Sequence, residues 1–238
     1  MFPVELPTVW AGREKELAVL HSATEAASQG RGSVLWVEGE AGIGKSSLVA
    51  AGLTRGGNEN REVLWGTADQ LSHRFPLRVM LDCLQVRPRS PDPRRARIAT
   101  FLRDRRPGLF AADDIANTAT EMLVALVDEL CADSPTVLVL DDLQWADQSS
   151  LALLRYISHH LPSMALLIIG IYRDVEVGQE HPLQQTLHDL NSYPTYVHFS
   201  LDRLDAENVR QILSQIWQEG VPGPLVEKIY QHTGGNPF

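Results

Sequence analysis

Val34-Leu35-Trp36-Val37-Glu38-Gly39-Glu40-Ala41-Gly42-Ile43-Gly44-Lys45-Ser46-Ser47 is an apolar strand that runs directly into a Gly-x-x-x-x-Gly-Lys-Ser loop. Glycines at 39, 42 and 44 release the backbone from the limits a Cβ imposes, so successive N–H groups can turn inward around an anion. A helix beginning near Lys45 adds its positive end to the same point. The ammonium of Lys45 can reach β- and γ-phosphates as a mobile charge, and the Ser46 hydroxyl suits a magnesium ion bridging them. The amphipathic run from Ser47 to Leu53 supplies the helix this reading needs. The loop residues Gly39, Glu40, Ala41, Gly42, Ile43, Gly44, Lys45, Ser46 and Ser47 are therefore the candidate phosphate cradle.

Thr136-Val137-Leu138-Val139-Leu140-Asp141-Asp142 is the second informative stretch. It has the pattern of a buried parallel strand whose carboxyl end opens into a crevice. A bound nucleoside triphosphate needs an acid that holds magnesium from the side opposite the loop, and Asp141 fits that need. Asp142, one residue further, is placed to orient or deprotonate an attacking water. Two neighbouring carboxylates are costly to ionise without a cation, which favours a metal over a purely structural pair.

Bulk composition narrows the class. The 238 residues are 44% hydrophobic, enough for one sizeable α/β domain and part of another. No run approaches the ~18 apolar residues a membrane helix needs, and the N-terminus lacks a basic segment followed by an apolar core. The two cysteines, Cys83 and Cys131, are spaced for neither zinc nor a disulfide framework, so a reducing cytoplasm is expected. A net charge of −9 argues against wide contact with nucleic acid. The exception is the basic stretch from Arg87 to Arg106, which reads as a solvated insertion with a short helix over Ala96 to Leu102, or alternatively as a partner, nucleic-acid or self-assembly surface.

Apolar runs predict strands near Ser33 to Glu38, Glu62 to Gly66, Thr136 to Asp141, Ala165 to Tyr172 and Tyr196 to Leu201. Helices alternate with them over Arg13 to Gln29, Lys45 to Thr54, Leu77 to Leu84, Ala116 to Cys131, Ser149 to Leu161 and Pro182 to Asn191. This alternation predicts a parallel sheet covered on both faces. The stretch from Thr67 to Asn117 is too long for a bare loop and reads as a helical insertion with a proline-broken middle. Beyond the fifth strand, Ala206 to Trp217 and Leu225 to His232 read as two helices of a second, truncated domain. The expected division is residues 1–201 for nucleotide binding and 202–238 for the start of a helical lid.

Five segments together resemble AAA-like signal-transduction ATPases of the STAND class, and among them the large ATP-binding regulators of the LuxR type. They are Trp10-Ala11-Gly12-Arg13-Glu14-Lys15-Glu16-Leu17, the Gly39 to Ser46 loop, Leu140-Asp141-Asp142-Leu143-Gln144-Trp145-Ala146-Asp147, Ile171-Tyr172-Arg173-Asp174 and Gly234-Gly235-Asn236-Pro237-Phe238. The resemblance implies an α/β three-layer P-loop NTPase sheet of the ASCE type in order 5-1-4-3-2, followed by a helical lid. It implies ATP or ADP with Mg2+ as ligands, base contacts near Val9, Trp10 and Arg13, and a lid element at Gly235 and Pro237 beside the adenine. Arg13 could equally be a helix-start charge paired with Glu14 or Glu16, and Pro237 could be no more than a turn residue. The arginine ending the fourth strand, Arg173, maps to a sensor of the γ-phosphate; the alternative is an ion pair with Asp174 or Asp142, and the strand-tip position favours the phosphate role.

The tip Asp141-Asp142 departs from the Asp-Glu of many AAA hydrolases, so the candidate base is shorter by one methylene and slow hydrolysis is expected. The expected switch is a lid held shut by ADP and an open, self-associating state favoured by ATP, and the family implies DNA binding only through a further C-terminal region. Rival readings stay open: an Orc/Cdc6-like DNA-binding ATPase, the regulatory ATPase of a cyclase or kinase, and a non-hydrolysing ADP-binding module.

Overall fold

The computed structural model describes residues 10–55, 60–71, 74–104, 112–217 and 220–237. Strands β1 (Ser33–Glu38), β2 (Glu62–Thr67), β3 (Thr136–Asp141), β4 (Leu166–Tyr172) and β5 (Tyr196–Ser200) form one sheet in the order β2-β3-β4-β1-β5. Every pairing is parallel, with Ser33 opposite Leu167, Thr136 opposite Leu166 and Val34 opposite Tyr196. This is the expected order. It places the carboxyl ends of β1, β3 and β4 side by side, because β4 lies between the other two.

Strand periodicity sorts the core into two layers. Leu35, Val37, Val137, Val139, Leu167, Ile169 and Ile171 face α1 (Glu14–Ser28) and α2 (Lys45–Arg55). Val34, Trp36, Leu138, Leu140, Leu166, Ile168 and Tyr172 face the opposite layer. That layer holds α3 (Arg78–Cys83), α4 (Pro93–Asp104), α5 (Ala112–Asp133), α6 (Gln148–Ser158) and α7 (Pro182–Leu190). Strands β3 and β4 are buried along their whole length, so they carry apolar residues at nearly every position rather than in alternation. Gly170 is required by packing: a Cβ there would lie 2.2 Å from the Trp36 ring.

The long connection between β2 and β3 is helical, as expected, but its prolines act differently. Pro93 is the first residue of α4, where its missing N–H costs nothing, and Asp92 Oδ1 caps the turn by accepting from Arg94 N at 2.8 Å. The helix is consequently longer than Ala96 to Leu102. Two of its arginines are anchored: Arg94 binds Asp92 and Asp133, and buried Arg95 pairs with Glu62. Arg105 and Arg106 lie outside the described residues.

Asp147 holds the front of this connection in place. Its carboxylate accepts from Leu77 N at 2.8 Å and Arg78 N at 3.1 Å, while capping α6 through Ser150 N at 2.8 Å. Helix α6 stops at Ser158 rather than Leu161, because the chain turns at His159 and His160 into a short 3-10 segment containing Pro162. Beyond β5, α8 (Ala206–Trp217) and α9 (Gly223–Thr233) pack on each other around Leu204, Val209 and Val226. Among the described residues no helix is long and apolar enough to cross a membrane.

Candidate functional site

The loop between β1 and α2 has left-handed φ values at Gly39 (147°), Gly42 (76°) and Gly44 (96°), positions where an L side chain would be strained. Ile43 sends its side chain into the core, 1% exposed, and so pins the loop from below. Only its backbone is available to a ligand. Lys45 is 7% exposed and its ammonium donates to Gly39 O at 2.7 Å and Glu40 O at 2.8 Å. Burial, and next the nearby Arg173 guanidinium, lower its pKa. An anion in the loop would remove this penalty, since it adds the missing negative charge beside a desolvated cation.

The tips of β3 and β4 face this loop. Asp141 is 7% exposed, and its pKa is pushed up to about 6, chiefly by burial, against a hydrogen bond from the Ser46 side chain. A buried carboxyl and a hydroxyl in contact form an oxygen donor pair that suits a hard dication, which would restore the charged form of Asp141. Among the described residues no three His, Cys, Asp or Glu side chains converge as a metal site. The donor pair therefore fits a metal whose other ligands are phosphate oxygens and water, as magnesium prefers.

Asp142 sits in the left-handed region at φ 54°. Its Oδ1 accepts from Gln144 Nε2 at 2.8 Å and lies 3.3 Å from Arg173 Nε. Arg173 also reaches Glu176 at 3.0 Å. As folded, the Arg173 guanidinium is shared by Asp142, one of the two ion-pair partners weighed for it, and Glu176. The cause is local, because the 3-10 turn Asp174–Glu176 brings a carboxylate back to within one turn of the strand tip.

Gln144 was not singled out in the sequence. It is buried, donates to Asp142, and accepts from Arg173 N at 3.2 Å, joining the tips of β3 and β4. Its backbone oxygen lies 3.0 Å from His181 Nε2, at the start of α7. The signal available was its place two residues after the acidic pair, but an amide in a polar turn is common and only the fold shows what it spans.

The chain after β5 closes over the loop. Arg203 pairs with Glu40 at 2.8 Å, Asn236 Nδ2 donates to Ala41 O at 3.0 Å, and a Cβ on Gly44 would stand 4.0 Å from Pro237. Gly235, at φ 83°, lets Leu204 N donate to its carbonyl at 2.9 Å. Arg13 is buried; it donates to Asp202 O at 2.6 Å and lies 3.5 Å from Glu16, one of the two pairings considered for it. Trp10 is half-buried against the α1 and α2 layer. Of the residues expected near the base, Arg13 thus meets Asp202, Trp10 O accepts from Gln215 Nε2 at 3.4 Å and Pro237 lies beside Gly44, while Val9 lies outside the described residues. Ser47 is half-buried, the third residue of α2.

Solved structures share this architecture. A signal transduction ATPase with numerous domains carrying a tetratricopeptide repeat sensor, from Pyrococcus horikoshii, aligns with 99% of this chain at 16% identity and a TM-score of 0.54. A Walker-type ATPase of Pyrococcus abyssi aligns over 99% at 18% identity and a TM-score of 0.58. The chain spans 30% of the first protein and 68% of the second. At such identities the likeness establishes the fold, that of a P-loop NTPase. No curated protein matches the sequence. The AAA ATPase domain family matches residues 9–169, more than half the chain and inclusive of the loop, both aspartates and Gln144. The chain belongs to the AAA ATPase domain family.

Proposed function

We propose that this chain binds Mg-ATP and hydrolyses it slowly, as the switch domain of a bacterial LuxR-type transcriptional regulator. The observation that carries the nucleotide reading is the convergence of Lys45, Ser46, Asp141, Asp142 and Arg173 at the adjoining ends of β1, β3 and β4. Lys45 would leave the Gly39 and Glu40 carbonyls for the phosphates, and Ser46 with Asp141 would hold magnesium. The ion supplies charge neutralisation on the phosphates when bound. Asp142 would take a proton from the water that attacks the γ-phosphorus, while the bond to the β-phosphate oxygen breaks and ADP leaves. Arg173 would exchange Glu176 for γ-phosphate oxygens, a swap that separates three phosphates from two.

The residues after β5 would act as the lid, since Arg203 and Asn236 already touch Glu40 and Ala41. ADP would keep that contact, and ATP would favour an opened, self-associating form through its different affinity for the two states. The regulator assignment rests on the ordered set of five sequence segments; any DNA contact would belong to a region beyond these residues.

The test is calorimetry with Mg-ATP followed by single-turnover hydrolysis. Lys45→Ala should abolish nucleotide uptake. Asp142→Asn should retain uptake and lose turnover; equal turnover would remove the proposed base. ATP-dependent growth in mass during sedimentation would support the switch, and an unchanged monomer with both nucleotides would count against it.

A further inference from the structure

On the sheet face away from α2, the ends of three neighbouring strands build a second polar recess that the nucleotide reading does not use. It has a volume of about 420 Å³, within the range of sites that hold small organic ligands. Glu38 forms its floor, with Oε2 2.6 Å from Tyr172 Oη and 3.2 Å from His198 Nε2. Both contacts fall on one carboxylate oxygen. The Tyr172 hydroxyl donates to it, and the Tyr172 and His198 rings stack at 12°. Tyr196 stands beside His198, and Asp174 and Gln184 line the mouth.

The chemistry of this lining is one-sided. It contains two carboxylates and two tyrosines, and among the described residues that line it there is no Lys or Arg. Its histidines, His188 and His198, are the only basic groups in the lining. Nearby Arg173 is committed to Asp142 and Glu176. Burial raises the pKa of Tyr172, so its ring remains a neutral, hydrogen-bonding wall. A recess lined by two carboxylates and aromatic faces attracts a cation that can both donate hydrogen bonds and lie over a ring.

We propose that this recess, formed by Glu38, Tyr172, Asp174, Gln184, Tyr196 and His198, is a binding site for a small organic cation bearing a guanidinium or primary ammonium group. A guanidinium or ammonium N–H can donate to Glu38 Oε1, since the Tyr172 and His198 contacts both fall on Oε2, and the Gln184 amide orients the remainder. The site adjoins the nucleotide loop in sequence, Glu38 preceding Gly39 and Tyr172 preceding Arg173, but its uptake of a cation requires no nucleotide.

The experiment follows amide shifts of the isotope-labelled full chain in NMR titrations with butylguanidinium and with its neutral isostere butylurea. Saturable shifts at Glu38, Gln184 and His198 are expected with the cation and not with the urea. Glu38→Gln, which keeps an acceptor for Tyr172, and Asp174→Asn, at an exposed position, should each weaken binding by about tenfold, the scale of one lost charge-assisted contact. Equal shifts with butylurea, no saturable shift with the cation, or unchanged affinity in both variants would each overturn the proposal. Mg-ATP uptake measured on the same samples reports separately on the nucleotide site.

Discussion

The side-chain amide of Gln144 donates to Asp142 Oδ1 at 2.8 Å, while its carbonyl accepts from the backbone N–H of Arg173. One buried residue thereby sets the spacing between the acid at the tip of β3 and the arginine at the tip of β4. Removing the amide frees both, so Gln144→Ala should change the geometry of the site more than its affinity. We expect ATP binding within about threefold of the parent and turnover lower by about tenfold or more, the range of a lost positioning contact. Calorimetry and single-turnover hydrolysis on the same preparation separate the two.

Asp141 provides a prediction with a definite sign. Its folded pKa of about 6 lies above the ordinary carboxylate value of about 3.9. The folded state therefore binds a proton more readily than the unfolded state does. Its contribution to stability is fully present below the unfolded value and is lost as pH rises through about 6. Without nucleotide or magnesium, Asp141→Asn should stabilise the protein at pH 7 by on the order of 1–3 kcal/mol, read by urea denaturation. The same variant should lose magnesium-dependent ATP binding.

The contacts of Arg203 with Glu40 and of Asn236 with Ala41 O lie at the surface, over the phosphate loop. Such contacts contribute little to global stability. They should instead govern escape from the site. In the Arg203→Ala, Asn236→Ala double variant, a fluorescent ADP analogue is expected to dissociate faster by about threefold to tenfold, the scale of small coupling energies, with an unchanged melting temperature. Unchanged dissociation in stopped-flow chase would remove these residues from the lid.

Gly170 lies where β4 passes the Trp36 ring, with Leu143 Cδ1 2.9 Å from the position of an added Cβ. Gly170→Ala should destabilise by about 1–3 kcal/mol or more, the cost of overpacking a rigid core. Chemical denaturation measures this directly. Gly178, where an added Cβ meets nothing within 4 Å, is the matched control.

Much of this architecture was legible in the residues alone. The boundaries of β1 and β3 coincide with the apolar runs Ser33 to Glu38 and Thr136 to Asp141, because a central parallel strand is buried on both faces and has no polar position to blur its limits. The phosphate loop was legible for a related reason: its glycines and its Lys-Ser pair are tied to backbone geometry, which is local. Helix α4 was read too short, since a proline in sequence signals interruption and only capping by Asp92 shows that it begins the helix.

Sequence by itself determined the chemical inventory and its order: a glycine cradle after the first apolar strand, a lysine and a hydroxyl at the start of the next helix, then two acids and an arginine at the ends of later apolar strands. Tertiary structure decided what these groups do to one another. Insertion of β4 between β1 and β3 set Arg173 against Asp142, buried Gln144 between them, and left Glu38, Tyr172 and His198 to meet on the opposite face. The physical reason is range. Backbone freedom and hydrophobic period act over a few neighbouring residues, whereas ion pairs and shared hydrogen bonds join groups that only strand order brings together.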